Sequence, residues 1–313
     1  REAVVHDLFG DGPLASQAVA IASPGGSGAV FAAVVNFLED GQRMLVPQYY
    51  WGPYMEITTH SNRSLDPFAM FTEDGSFDIA GMEAGIERHL ATQGRALVVL
   101  NFPCHNPTGY TLTAEEWREV TDAINRAAAH GPVTVLIDVA YMEFAGDAAR
   151  GWVDAVPALM KNATVLVAWT ASKSMAQYGA RIGAIVALHE DDDERAQMDN
   201  ALGYTARATW SNCHHLGQRA VTALLTDPEL SARVTAERAE IAELLRTRID
   251  AFNEVAGASG IPTPRYDSGF FVTMFTPDQD ETAAAMRELG VYTVPIPGAV
   301  RVAICSTPAA AIP

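Results

Sequence analysis

The sequence predicts an α/β protein: a large doubly wound domain on a mixed, mostly parallel sheet, followed by a smaller α+β unit. Three observations predict it. Short apolar runs alternate with helix-patterned stretches through the middle of the chain. The runs are continuously apolar rather than alternating, as in strands covered on both faces. The rhythm then changes after about Ile241. With 313 residues, 49% of them hydrophobic, the chain has room for one large domain and a smaller one.

In chain order, helices are expected at Ser27–Leu38, Ile79–Thr92 and Thr113–Ala129, with a long one within Glu229–Val255. Thr113 with Glu116 three residues on has the form of a capping box. Between them, strands are expected at Met44–Val46, Leu97–Asn101, Thr134–Ile137, Thr164–Trp169 and Ala184–Leu188. The long helix leads into a strand at Ser268–Phe275, a helix near Glu281–Leu289, and strands at Val291–Val294 and Val300–Ile304. The expected division is 1–240 for the large domain and 241–313 for the small one.

Composition narrows the function. Lys plus Arg number 21 and Asp plus Glu 38, a formal charge of −17. That balance argues against nucleic acid or an anionic membrane as partner. Cys104, Cys213 and Cys305 are widely spaced and form no CxxC pair, which speaks against a disulfide framework or a cysteine metal site. The eight histidines form no HExxH pattern, so no metal is expected. No run spans a bilayer and no signal peptide is visible at the start, which together predict a reducing, cytoplasmic setting.

Four segments could carry chemistry. In Thr170-Ala171-Ser172-Lys173-Ser174, a lysine follows an apolar strand, at the edge where α/β sheets bind ligands. Desolvation or a cationic neighbour would make its amine a nucleophile toward an aldehyde. Arg181, eight residues on and between glycines, could clamp a phosphate. Asp138, at the end of Thr134–Ile137, could keep a pyridine nitrogen protonated, and Tyr141 could donate to a phenolic oxygen. The rigid loop Cys104-His105-Asn106-Pro107-Thr108-Gly109 could aim Asn106 at a ligand oxygen. Gly26, Ser27 and Gly28 open a helix whose N-terminus favours an anion. Trp51 could stack on a flat ring, and Arg301 or Arg207 could grip a carboxylate. Each segment alone also has an ordinary explanation: a solvated lysine, a helix-capping aspartate, an Asn-Pro turn, a glycine turn, packed aromatics, solvated arginines.

Their order along the chain is more specific. GGSGA, Trp51, CHNPTG, DVAY, TASKS, GARIG, RATWSN and RVA together resemble the fold-type I aminotransferases of the aspartate and aromatic branch, from about Ser23 to Cys305. The resemblance implies the fold of pyridoxal 5′-phosphate (PLP) transferases and a homodimer with its site between subunits. It implies that Lys173 holds PLP as a Schiff base and shuttles the substrate proton. Asp138 would pair with the pyridinium nitrogen, Asn106 and Tyr141 with the ring oxygen, and Trp51 would stack. Gly26, Ser27, Thr170 and Arg181 would hold the phosphate, with Gly28 and Ser172 as further cofactor-binding residues. Arg301 would bind the substrate carboxylate, and Arg207 would reach a distal carboxylate in the partner's site. The implied reaction is transamination between a dicarboxylic or aromatic L-amino acid and a 2-oxo acid. β-Elimination, decarboxylation or a non-catalytic truncated relative are the alternatives. Two departures stand out. Ser211-Asn212-Cys213-His214 replaces the family's S-N-P-P beside the substrate pocket. The chain also starts late, so that an N-terminal arm and part of the small domain are expected to be absent.

Overall fold

The computed structural model describes residues 1–312. The chain opens with α1 (Glu2–Phe9) and the single turn α2 (Pro13–Ser16), then β1 (Ala18–Pro24), α3 (Gly25–Phe37), β2 (Arg43–Pro47), α4 (Pro53–His60) and β3 (Ser64–Phe68). It continues through α5 (Ile79–Gln93), β4 (Ala96–Leu100), α6 (Ala114–Ala128), β5 (Val133–Asp138), α7 (Gly151–Leu159), β6 (Thr164–Thr170), the one-turn α8 (Ala171–Ser174) and β7 (Ile182–Leu188). Three helices follow, α9 (Asp192–Thr209), α10 (His215–Thr226) and α11 (Pro228–Ser259), and then β8 (Phe271–Phe275), α12 (Gln279–Glu288), β9 (Val294–Ile296) and β10 (Ala299–Ala303).

Seven strands form one sheet in the order β1-β7-β6-β5-β4-β2-β3. β2 to β6 run parallel with β3, while β7 lies antiparallel to both β1 and β6. The sheet is therefore mixed and mostly parallel, as expected. Continuous burial explains the continuous apolar runs: every residue of β4, β5 and β7 is buried. α3 and α9 cover one face with Val30, Val34, Leu202 and Ala206. α5, α6 and α7 cover the other, with Met82, Ile86, Trp117, Ile124, Trp152 and Leu159.

The expected boundaries hold within a few residues for most elements. The capping box forms: Thr113 Oγ1 accepts from the Glu116 N–H at 3.1 Å, and Glu116 Oε2 accepts from the Thr113 N–H at 2.7 Å. Two strands were not read from sequence. β1 is rich in alanine, and it becomes a strand through its seven-residue antiparallel register with β7. β3 contains Asp66 and Pro67, and it is tolerated as the outermost strand. Two expectations need correction. The strand placed at Val291–Val294 lies instead at Val294–Ile296, where it pairs with β10. The strand placed at Ser268–Phe275 starts only at Phe271, because Gly269 has φ +92° and turns the chain first.

The three strands β8-β10-β9 make a separate antiparallel sheet. The C-terminal half of α11 packs on it through Ile249, Phe252 and Ala256, which meet Tyr266, Val272 and Ile304. α11 itself runs unbroken across residues 240 and 241. Among the described residues, no helix is long and apolar enough to cross a membrane.

Candidate active site

Parallel pairing sets the carboxyl ends of β4, β5 and β6 side by side, with Leu100 opposite Ile137 and Asp138 opposite Ala168. Asn101, Asp138 and the Thr170–Lys173 turn emerge there and line a cleft. This is the edge at which open α/β sheets bind ligands.

Lys173 reaches the cleft because β6 stops in a tight turn. Thr170 caps α8, its hydroxyl accepting from the Ser172 N–H at 3.2 Å, with Ser172 Oγ 2.8 Å away. The Lys173 amine sits 4.5 Å from the centre of the Tyr178 ring and 5.8 Å from that of Tyr141. Burial lowers its pKa from the usual 10.5; Cys305 opposes this, and the Arg181 and Arg301 cations add to it. A neutral, nucleophilic amine is thus reached at lower pH than for a surface lysine.

Asp138 is buried, and desolvation raises its pKa. Two donors oppose that rise: the Tyr54 hydroxyl at 2.7 Å on Oδ2 and the Ala140 N–H at 3.1 Å on Oδ1. Asn101 ties the neighbouring loop to this strand. Its amide donates to the Asp138 carbonyl at 3.0 Å, and its Oδ1 accepts from the Asn106 N–H at 2.9 Å. Asn106 in turn accepts from Arg301 Nη1 at 3.2 Å, and the Arg301 guanidinium lies 4.4 Å above the Phe271 ring. The arginine of β10 thus reaches the loop between β4 and α6.

One end of the cleft is built by α3 and the segment before β7. Gly26 and Ser27 line it at the helix N-terminus, together with Thr170 and Arg181. Arg181 donates to the Tyr178 carbonyl at 2.8 Å and the Pro24 carbonyl at 3.1 Å. Space is tight: a Cβ on Gly25 would lie 2.5 Å from Arg181 Nη2, and one on Gly183 would lie 2.4 Å from the Gly25 carbonyl carbon.

The cleft gathers ten of the residues singled out from the sequence: Gly26, Ser27, Trp51, Asn106, Asp138, Tyr141, Thr170, Ser172, Lys173 and Arg181. Arg301 touches it through Asn106. Gly28 does not belong to it. A Cβ there would meet the Pro24 ring at 2.4 Å, so that glycine serves the packing of β1 against α3. Arg207 also lies outside, at the exposed end of α9, where it bonds Ser211. Sequence reading missed Tyr54, Asn101, Tyr178, Gly25 and Gly183. Tyr54 and Asn101 lie in segments already marked by Trp51 and Asn106, and Gly25 and Gly183 in the GGSGA and GARIG motifs, whereas Tyr178 carried no signal.

His105, beside Asn106, is buried, contacts Thr108 Oγ1 at 2.8 Å through Nδ1, and stacks on Phe102. Burial pushes its pKa down from 6.5 to about 3. The ring is therefore neutral when folded, and its contribution is complete above pH 6.5 and lost as pH falls from there toward 3. Urea unfolding should show stability falling below pH 6.5, and a His105→Gln variant should show a shallower fall.

The donors fit PLP. They supply an amine for the aldehyde, a carboxylate for the ring nitrogen, amide and phenol groups for the ring oxygen, and a helix N-terminus with an arginine for the phosphate. Known proteins agree. A model of the family aminotransferase class I and II matches residues 1–312. The chain is 27% identical to the aromatic-amino-acid aminotransferase of Paracoccus denitrificans, over 94% of this chain and 74% of that protein. It is 31% identical to the aspartate aminotransferase of Pseudomonas aeruginosa, over 65% of this chain and 51% of that protein. An aminotransferase structure from Anaerococcus prevotii superposes with a TM-score of 0.91 at 31% identity, covering 100% of this chain and 77% of that one. An aromatic-amino-acid aminotransferase from Burkholderia pseudomallei, covalently bound to pyridoxal phosphate, superposes with a TM-score of 0.81 at 24% identity, covering 99% of this chain and 79% of that one. With its cleft, its sheet and its sequence in agreement, the chain belongs to the class I and II aminotransferases, a family of PLP-dependent transferases.

Proposed function

We propose that this protein moves the amino group of a dicarboxylic or aromatic L-amino acid to a 2-oxo acid, with Lys173 as the residue that holds PLP. The observation that carries the reading is the convergence of Lys173, Asp138 and Trp51 on one cleft, with an anion-binding helix end at its rim. Bound PLP supplies an electron sink that stabilises negative charge at the substrate α-carbon. The protein's own groups do the rest. Lys173 would bind the aldehyde and would carry the proton that leaves the substrate α-carbon to the cofactor carbon that bore the aldehyde. Asp138 holds a proton on the ring nitrogen. Asn106 and Tyr141 fix the ring oxygen, and Trp51 covers a ring face. Ser27, Thr170, Ser172 and Arg181 anchor the phosphate, and Arg301 orients the substrate carboxylate.

The same proposal includes a homodimer. Tyr178, Tyr204 and Leu216 are large and apolar yet 64%, 77% and 72% exposed. Tyr204 lies one helical turn before Arg207 on α9, so a second copy covering this face would carry Arg207 toward its partner's cleft. It also includes a division of the chain at 240/241 and a cytoplasmic setting, the latter supported by three free cysteines.

The test is a substrate screen. Protein supplied with PLP and 2-oxoglutarate should convert L-aspartate, L-tyrosine or L-phenylalanine to its keto acid without releasing ammonia. Free ammonia would instead indicate β-elimination, and carbon dioxide decarboxylation. No observation favours either of those, and the curated relatives reported above carry aminotransferase names.

A further inference from the structure

Tyr54 is almost wholly buried in the first turn of α4, three residues after Trp51. The two rings meet edge to face, with centres 5.3 Å apart and planes at 90°. A buried phenol keeps a polar partner as a rule. Here the partner is the Asp138 carboxylate, reached at 2.7 Å across 84 residues of sequence. Burial keeps the phenol protonated, so it donates. We infer that Tyr54 is a positioning residue: its hydroxyl holds the Asp138 carboxylate anionic and turned toward the cleft. This inference rests on the proposed pairing of Asp138 with the cofactor ring.

The geometry gives Tyr54 two effects. Ala140 N–H occupies one carboxylate oxygen and Tyr54 the other, which leaves the remaining lone pairs for a donor in the cleft. A bond from Tyr54 also favours the charged form against the desolvation that opposes it. Tyr141, Lys173, Tyr178 and Arg181 are the other titratable groups lining the cleft, and among the described residues Tyr54 is the one side chain hydrogen-bonded to the Asp138 carboxylate. Because α4 carries both Trp51's neighbour turn and Tyr54, one rigid turn sets a ring face and the ring-nitrogen partner together.

The test compares Tyr54→Phe with Thr58→Val. Phenylalanine keeps the ring and removes only the hydroxyl. Thr58 is buried in the same helix and its hydroxyl donates to the Tyr54 and Met55 carbonyls, so its change to Val perturbs α4 without touching Asp138. In PLP-free protein labelled at aspartate carboxyl carbons, with the signal assigned by Asp138→Asn, Tyr54→Phe should raise the Asp138 titration by about one to two pH units. Its affinity for added PLP should fall roughly tenfold, and Thr58→Val should leave both unchanged. An Asp138 titration that does not move in Tyr54→Phe, or that moves equally in Thr58→Val, overturns the inference. If Asp138→Asn binds PLP as tightly as the parent, the ring pairing itself fails, whereas the titration shift would still uphold the contact between Tyr54 and Asp138.

Discussion

Lys173→Ala should yield a folded protein that no longer holds PLP covalently and transaminates more slowly by a factor on the order of 10⁴. Two functions end together, the bond to the aldehyde and the proton transfer at the substrate α-carbon. The fold should survive, because Lys173 is only partly buried and its neighbours are the Tyr178 and Tyr141 rings. The measurements are the absorbance band of the PLP-loaded protein before and after substrate, and single-turnover keto-acid formation. An unchanged band, or a rate within a few-fold of the parent, would remove Lys173 from its proposed role. In the parent, covalent PLP uptake should rise with pH through an amine ionisation below 10.5, because burial disfavours the charged form.

Asp138→Ala should lower the rate by about 10²–10³-fold, the scale of losing one preorganised electrostatic partner. The loss should fall on kcat more than on KM, because the carboxylate matters most when negative charge reaches the ring. Stability should fall as well. The buried Tyr54 hydroxyl would lose its acceptor, which costs about 1–3 kcal/mol. Steady-state kinetics with urea unfolding would separate the two effects. Parental kcat would show that the carboxylate does not act on the reaction.

The residues proposed to carry the reaction could be singled out because each lies in a short contiguous motif at the carboxyl end of an apolar strand. Lys173 follows Thr164–Thr170, Asp138 ends Val133–Asp138, and Asn106 follows Ala96–Leu100. Parallel strand order then obliges these ends to meet. The contacts that aim those residues were not readable. Tyr54 meets Asp138 and Arg301 meets Asn106 across 84 and 195 residues. No local spacing encodes such pairs. The two glycine requirements were hidden for the same reason: Gly25 and Gly183 are needed because separate segments approach each other and Arg181 closely.

Local patterning along the chain was thus enough to give the α/β architecture, and the order of its short motifs, through the family they resemble, marked the amine, the carboxylate and the helix end proposed for the site. Hydrophobic period and turn residues act over a few positions, and those features need no more. Packing of the finished fold excluded Gly28 from the cleft, left Arg207 outside it, supplied Tyr54 as the donor to Asp138, and made strands of β1 and β3. These are properties of distances between remote segments, which take definite values only once the sheet has ordered its strands and α4 has docked beside it.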